Sequence, residues 1–187
     1  MKKIVVTLML SLFCLMVQGQ AHMKFMGIPL TGHVDLFTQK LKAKGLTCDV
    51  AKTKASPSGT KFYKGVFMGE DAEFMIMFNS KDKTVFGVEV YIEYSTKESV
   101  KEQIVNVFYK LKEKYPDAAI GLSKNDDGDA DGVKFSIPDK EKKNLMGLIL
   151  QKTITPDGIY ERNYRISLLY CDVANFTKSE KKNFDDL

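Results

Sequence analysis

The most chemically suggestive segment is NDDGDADG, residues 125–132, which is rich in acidic side chains. Asp127, Asp129 and Asp131 alternate along it, and alternate carboxylates can converge on a hard cation such as Ca²⁺. A calcium loop also needs a glycine for its sharp turn and a bidentate glutamate at its twelfth position. The segment has the glycine, but its twelfth position is Pro138. It therefore predicts either a solvated acidic hairpin loop or a calcium site that lacks its bidentate ligand.

Cysteine chemistry is limited to Cys48 and Cys171 once the leader described below is removed. In an exported chain, this pair could form a disulfide that closes a loop of more than a hundred residues. Such a bond contributes ~4 kcal/mol in the chain-entropy model. The alternative is two separately buried thiols, each packed as a small apolar side chain. With two cysteines and two histidines, the composition argues against a metal site of the zinc type.

Catalytic motifs are absent from the sequence. Neither His22 nor His33 has a serine or cysteine partner in a recognised pattern, and the Gly-x-Ser-x-Gly and His-Glu-x-x-His patterns do not occur. A hydrolase built on two carboxylates stays open, because such a pair meets only in the folded chain. The sequence therefore favours a protein that is not an enzyme, with no catalytic residue and no organic cofactor.

The start of the chain has the features of a signal peptide. Lys2 and Lys3 precede an apolar run over residues 4–17, which is shorter than the ~20 residues that cross a bilayer as a helix. We therefore expect residues 1–19 to be cleaved and residues 20–187 to form a single domain, periplasmic or secreted, without a membrane span. Cleavage leaves 26 basic residues (28 − 2) against 24 acidic ones. This balance argues against a nucleic-acid partner.

The elements that must position these residues are clearest over residues 84–116. Apolar and polar residues alternate up to Tyr94, which predicts a half-buried strand. A helical stripe follows, and Ser95 with Glu98 matches a capping box between the two elements. The stripe comprises Val100, Ile104, Val107, Phe108, Leu111 and Tyr115.

The order helix, short strand, strand, strand, long strand occurs twice. The first set covers a helix over residues 33–44 and strands over 46–50, 61–68, 73–78 and 84–94, with a loop over 52–61; the second covers a helix over 96–115 and strands over 118–122, 133–137, 145–154 and 159–170. We predict an α+β protein with two α-β4 repeats, residues 24–95 and 96–187. The repeats are expected to share one roughly eight-stranded antiparallel sheet with both helices on one face.

The end of the chain adds a resemblance to a known architecture. The segment LLYCDVANF, with Tyr170, Asp172 and Asn175, and the terminal FDDL are similar to the ending of secreted bacterial proteins that have a beta-lactamase-inhibitor-protein-like fold. The doubled helix-plus-four-strand order resembles the same architecture over most of the chain after the leader. The resemblance implies that fold and a protein-binding role, and it carries over no inhibitory residue.

A candidate binding surface follows from alternation in the third strand. Met75 and Met77 alternate there with larger apolar side chains, so only one of the two sets can face the helices. If the second sheet face is uncovered, Met75, Met77, Val85 and Tyr91 are expected to form an exposed apolar strip, either a partner site or a homodimer seam. We therefore expect a non-catalytic module that binds a protein or another envelope component. The alternative is a small-ligand carrier or hydrolase with a cleft between sheet and helices.

Overall fold

The computed structural model describes residues 22–124, 130–137, 144–152 and 164–184. The helices are α1 (Val34–Ala43), α2 (Val50–Ala55), α3 (Lys97–Lys114) and α4 (Val173–Phe184). The strands are β1 (Lys24–Phe25), β2 (Ile28–Pro29), β3 (Thr47–Cys48), β4 (Thr60–Phe67), β5 (Glu70–Phe78), β6 (Val85–Tyr94), β7 (Ala119–Lys124), β8 (Ala130–Ile137), β9 (Asn144–Lys152) and β10 (Tyr164–Asp172).

Antiparallel pairing organises the strands. β1 and β2 form a small separate hairpin, whereas the remaining strands pair in the order β3-β4-β5-β6-β10-β9-β8-β7. At the centre, β6 runs against β10 with Val90 opposite Leu168 and Ile92 opposite Ile166. The predicted α+β class and the predicted antiparallel pairing are therefore confirmed.

Side chains alternate between two faces of the sheet, because successive residues of a strand point in opposite directions. One face, which includes Phe74, Val90 and Leu168, belongs to a single apolar cluster. Helix α1 adds Val34, Phe37 and Leu41 to this cluster, and α3 adds Val100, Val107 and Leu111. Burial of each such side chain contributes about 1.5–3 kcal/mol. The opposite face, called the open face below, carries Lys64, Glu73, Met75, Glu89, Tyr91, Glu93, Arg165 and Ser167.

Local hydrogen bonds explain two differences from the sequence prediction. Residues 52–61 do not form a loop throughout, since α2 starts where Asp49 Oδ1 accepts a hydrogen bond from Lys52 N at 2.9 Å. The start of α3 is capped by Thr96 rather than by the predicted Ser95–Glu98 box, and Thr96 Oγ1 accepts from Ser99 N at 3.1 Å. In both cases a neighbouring side chain satisfies a free N–H of the first turn.

Helix α4 was missed by the sequence reasoning, and a buried polar network holds it in place. Asp172 Oδ1 accepts from Asn175 N at 3.0 Å, which caps the helix. Its other oxygen, Oδ2, accepts from Met23 N at 3.1 Å and lies 2.8 Å from His22 Nδ1. Asn175 Nδ2 donates to Leu30 O at 2.9 Å. The network therefore fixes the segment around β1 and β2 against the end of β10.

No helix in the described part of the chain has the length and apolar character needed to cross a membrane.

Of the two alternatives left open for Cys48 and Cys171, the structure has the separate thiols, because both are free. Strands β4, β5 and β6 lie between β3 and β10, so spacings of ~4.8 Å separate the two cysteine backbones by ~19 Å. A disulfide needs Cα atoms within ~7 Å. Cys48 also pairs with Tyr63 of the buried face, whereas Cys171 pairs with Gly87 of the open face. The two thiols therefore pack separately.

We predict that replacing Asp172 with alanine lowers the free energy of unfolding by about 2–4 kcal/mol, because two N–H groups lose their acceptor in a buried site. Urea unfolding followed by circular dichroism measures this loss. The matched control is Asp117→Ala at an exposed position, where a change of at most ~0.5 kcal/mol is expected. Equal effects of the two substitutions would contradict the structural role of the network.

Candidate functional site

The open face contains a groove of about 640 Å³. Its lining combines strands β4, β5, β6 and β10 with one side chain from α2. The residues that line it are Lys52, Lys64, Gly65, Val66, Asp71, Ala72, Glu73, Tyr91, Glu93 and Arg165. Three of these side chains are basic and three are acidic, so the groove offers both signs of charge.

Strand register brings the groove residues together. Lys64 lies opposite Glu73, Glu73 lies opposite Tyr91, and Tyr91 lies opposite Ser167. These residues form one row that crosses four neighbouring strands. In the next row, Glu93 of β6 is opposite Arg165 of β10. Directly opposite residues point to the same face, so Lys64, Glu73 and Tyr91 line the groove, while Ser167 is buried at the end of this row.

Arg165 is held by contacts on two sides. Its Nη2 atom donates to Glu93 Oε1 at 2.8 Å, and its guanidinium carbon lies 4.8 Å from the centre of the Tyr91 ring. A cation over an aromatic face contributes about 0.5–2 kcal/mol, depending on its exposure to water. Within the described residues, the buried Nε of Arg165 has no hydrogen-bond partner. The groove therefore contains a fixed guanidinium that keeps one unused donor.

Beneath the guanidinium, Tyr91 remains a neutral phenol. Burial raises its pKa well above the ordinary value, and the hydrogen bond to Glu89 and the charge of that carboxylate raise it further. Glu89 also accepts a hydrogen bond from the Ser167 hydroxyl. A phenol with a raised pKa donates a proton in a hydrogen bond but does not serve as a base or nucleophile near neutral pH. Tyr91 is therefore suited to binding.

The lysines at the other end of the groove have acidic neighbours. Lys52 pairs with Glu73 and lies 4.6 Å from the centre of the Phe62 ring, and Lys64 Nζ is 2.9 Å from Asp49 Oδ2. The pKa of Asp49 is lowered, first by the hydrogen bond from Lys52 N and then by Lys64, while Asp49 raises the pKa of Lys64. Because these pairs face water, charged groups of a bound partner can replace them.

The predicted apolar strip is only partly present. Met75 and Met77 lie half-buried on the open face beside the groove, and Tyr91 lies within it. The prediction for Val85 is wrong, because this side chain is fully buried in the core. An irregularity in pairing after Met77 places Val85 opposite Phe78 and turns it inward. The open face is consequently charged where an apolar strip was expected.

The remaining sequence candidates lie elsewhere. Asp127 and Asp129 are outside the described residues, and only the backbone of Asp131, in β8, is described. The calcium site therefore stays a prediction. In the described ranges, no group of three or more His, Cys, Asp or Glu side chains could hold a metal ion. His33 caps α1, with Nδ1 accepting from Asp35 N at 3.3 Å, and His22 contacts Asp172. Neither histidine lines the groove.

Sequence reasoning missed the role of Arg165 and Glu93, although a signal was present. Glu89 and Glu93 occupy the polar positions of an alternating strand, and Arg165 does so in the last strand. This alternation identifies their face. Their contact depends on β6 pairing with β10, which joins residues 72 positions apart.

Comparison of the chain with protein-family models, with curated proteins and with solved structures finds no match.

We predict that iodoacetamide modifies Cys171 about a hundredfold more slowly in the folded protein at pH 8 than in denaturant, because only the thiolate reacts. Burial, with smaller effects from Asp172 and Glu180, raises the pKa of this thiol to about 11. Mass spectrometry of the Cys171 peptide gives the rate, and the unfolded chain is the control. The folded rate should rise about tenfold per pH unit from pH 8 to 10. A flat pH profile or equal rates would contradict the assignment.

Proposed function

We propose that this chain is an exported, non-catalytic binding module that holds a partner protein in the groove of its open face. The observation that carries the proposal is the arrangement of Arg165 over Tyr91 and against Glu93. Arginine and tyrosine are among the residues that contribute most to protein interfaces. Their positions are fixed before a partner arrives, so little conformational entropy is lost on binding.

The charges of the groove favour a protein surface as the partner. Lys52, Lys64 and Arg165 line the groove together with Asp71, Glu73 and Glu93. A nucleic acid needs a surface of predominantly positive charge, which this groove does not offer. A protein surface supplies both signs together with backbone amides and carbonyls.

The width of the groove supports the same partner class. The lining spans four neighbouring strands, which is roughly 14 Å between the outer two at a spacing of ~4.8 Å. Small-molecule sites are usually enclosed and mostly apolar, with few polar groups. This groove instead lies across the face that is turned away from the apolar cluster, and most of its lining residues are charged. Such a surface suits a protein loop or an extended segment.

We also propose that the two halves of the sheet are structural repeats, as in the beta-lactamase-inhibitor-protein-like architecture. Strands β3-β4-β5-β6 and β7-β8-β9-β10 each follow a helix, α1 or α3, and the last strands of the two sets are neighbours. In this organisation, one eight-stranded sheet keeps both helices on one face and leaves the other free for binding. The lysines and apolar run of residues 1–19 support export to the periplasm or beyond.

The test is capture of the partner from the envelope of the producing cells, with the full chain carrying an affinity tag. We expect Arg165→Glu to reduce capture at least tenfold, because it reverses the charge beside Glu93 and removes the guanidinium over Tyr91. Arg165→Lys should reduce capture less, since it keeps the charge and loses the planar fork. Circular dichroism checks that each variant is folded.

The matched control is Lys42→Glu, which makes the same reversal at an exposed position of α1. A protein captured by the wild type and by this control, and lost with Arg165→Glu, supports the groove as the site. Capture that is equal for all variants, or no captured protein at all, contradicts the proposed function.

A further inference from the structure

Strand β7 stands at the end of the sheet order, and its outer edge has no pairing partner among the described strands. An unpaired edge presents a row of backbone N–H and C=O groups to any chain that can pair with it. Proteins usually protect such edges with charged side chains or proline. Here residues 119–122 are Ala-Ile-Gly-Leu, with Ile120 44% and Leu122 69% exposed, and the one charged residue of the strand, Lys124, stands at its end.

Helix α3 adds apolar surface beside this edge. Val105 and Tyr109 are exposed and lie one turn apart. On the helix they lie next to Phe108. The centre of the Phe108 ring is 5.6 Å from that of Phe135 in β8. Phe135 in turn lies opposite Ile120 of β7. These contacts place α3 over β8, the neighbour of β7. The four exposed residues Val105, Tyr109, Ile120 and Leu122 are called the β7 border below.

We propose that the β7 border pairs with the β7 border of a second copy of this chain. Two copies related by a twofold axis perpendicular to the sheet would place their β7 strands antiparallel and extend one sheet into the other. Opposite residues must point to the same face, and a register centred on Gly121 satisfies this condition. Ile120 of each copy then lies opposite Leu122 of the other. This inference does not depend on the groove, which is formed by other strands.

A second copy fits this border for two reasons. Each exposed apolar side chain of β7 meets an apolar partner, so the edge of β7 is complementary to the same edge of a second copy. The twofold axis also keeps the two α3 helices on the same face of the joined sheet as the apolar pairs. The pairing of β6 with β10 within the chain also joins apolar residues, since Val90 lies opposite Leu168 and Ile92 lies opposite Ile166.

The size of the contact sets the expected affinity. A six-residue strand is about 20 Å long, and with the flank of a helix it presents a strip about 25 Å wide, or roughly 500 Å² per copy. The total of about 1,000 Å² is near the lower limit for a specific interface. We therefore expect a reversible dimer with a dissociation constant in the micromolar range rather than a permanent one.

Sedimentation velocity over a concentration series from about 1 µM to 1 mM tests the dimer, with protein expressed from the full sequence. The wild type should shift from monomer to dimer, and Leu122→Lys should weaken dimerisation at least tenfold. Leu36→Lys is the matched control, because Leu36 on α1 is 62% exposed and lies on another element. A wild type that stays monomeric throughout, or a Leu122→Lys variant that dimerises like the control, overturns the proposal.

A cysteine scan tests the register. A β-carbon on Gly121 would meet no described atom within 4 Å, and this residue lies on the axis, so Gly121→Cys should form an intermolecular disulfide under mild oxidation. Ala119→Cys should not, because two 119 positions would be ~14 Å apart in this register. The wild type gives the background from its own thiols. Cross-linking of Ala119→Cys but not of Gly121→Cys would overturn the proposed pairing.

Discussion

The ladder between β6 and β10 is the interaction on which the structure depends. It is the contact that joins the strands before α3 to those after it, and it assigns the paired residues 87–94 and 164–171 to their faces. Val90 against Leu168 fixes the buried face through apolar burial. Once that pair is set, Glu93 and Arg165 must meet on the open face, because a slip of one residue would exchange the two faces. Core packing and site geometry therefore have one cause.

The difference in energy between the two faces explains why the site can be polar. Leu168 and Val90 are fully buried, so a shifted register would expose apolar surface at about 25 cal/mol per Å². The pair of Arg165 and Glu93 is partly exposed, and such pairs contribute little to stability. Folding is therefore specified by the buried face, and the exposed residues of the open face are available for binding.

Some of this could be predicted from the sequence, because it depends on local periodicity. Alternation up to Tyr94 and the apolar stripe of the following helix were enough to predict both elements and the α+β class. The helix cap was misassigned to Ser95, since adjacent Ser95 and Thr96 both suit that position and only the backbone conformation decides between them. Helix α4 was missed because its start depends on Asp172, whose side chain was not recognised as a cap.

The site itself was harder to predict, since it depends on contacts distant in sequence. Tyr91 was identified as a surface residue, but its surroundings require the register between β6 and β10. Val85 was assigned to the wrong face because a pairing irregularity after Met77 interrupts the period of two. Alternation therefore identifies which residues share a face, while strand order and irregular pairs decide which of them meet. The placement of Arg165 over Tyr91 depends on strand order, because the two residues belong to strands that are distant in sequence. Alternation alone therefore does not predict it.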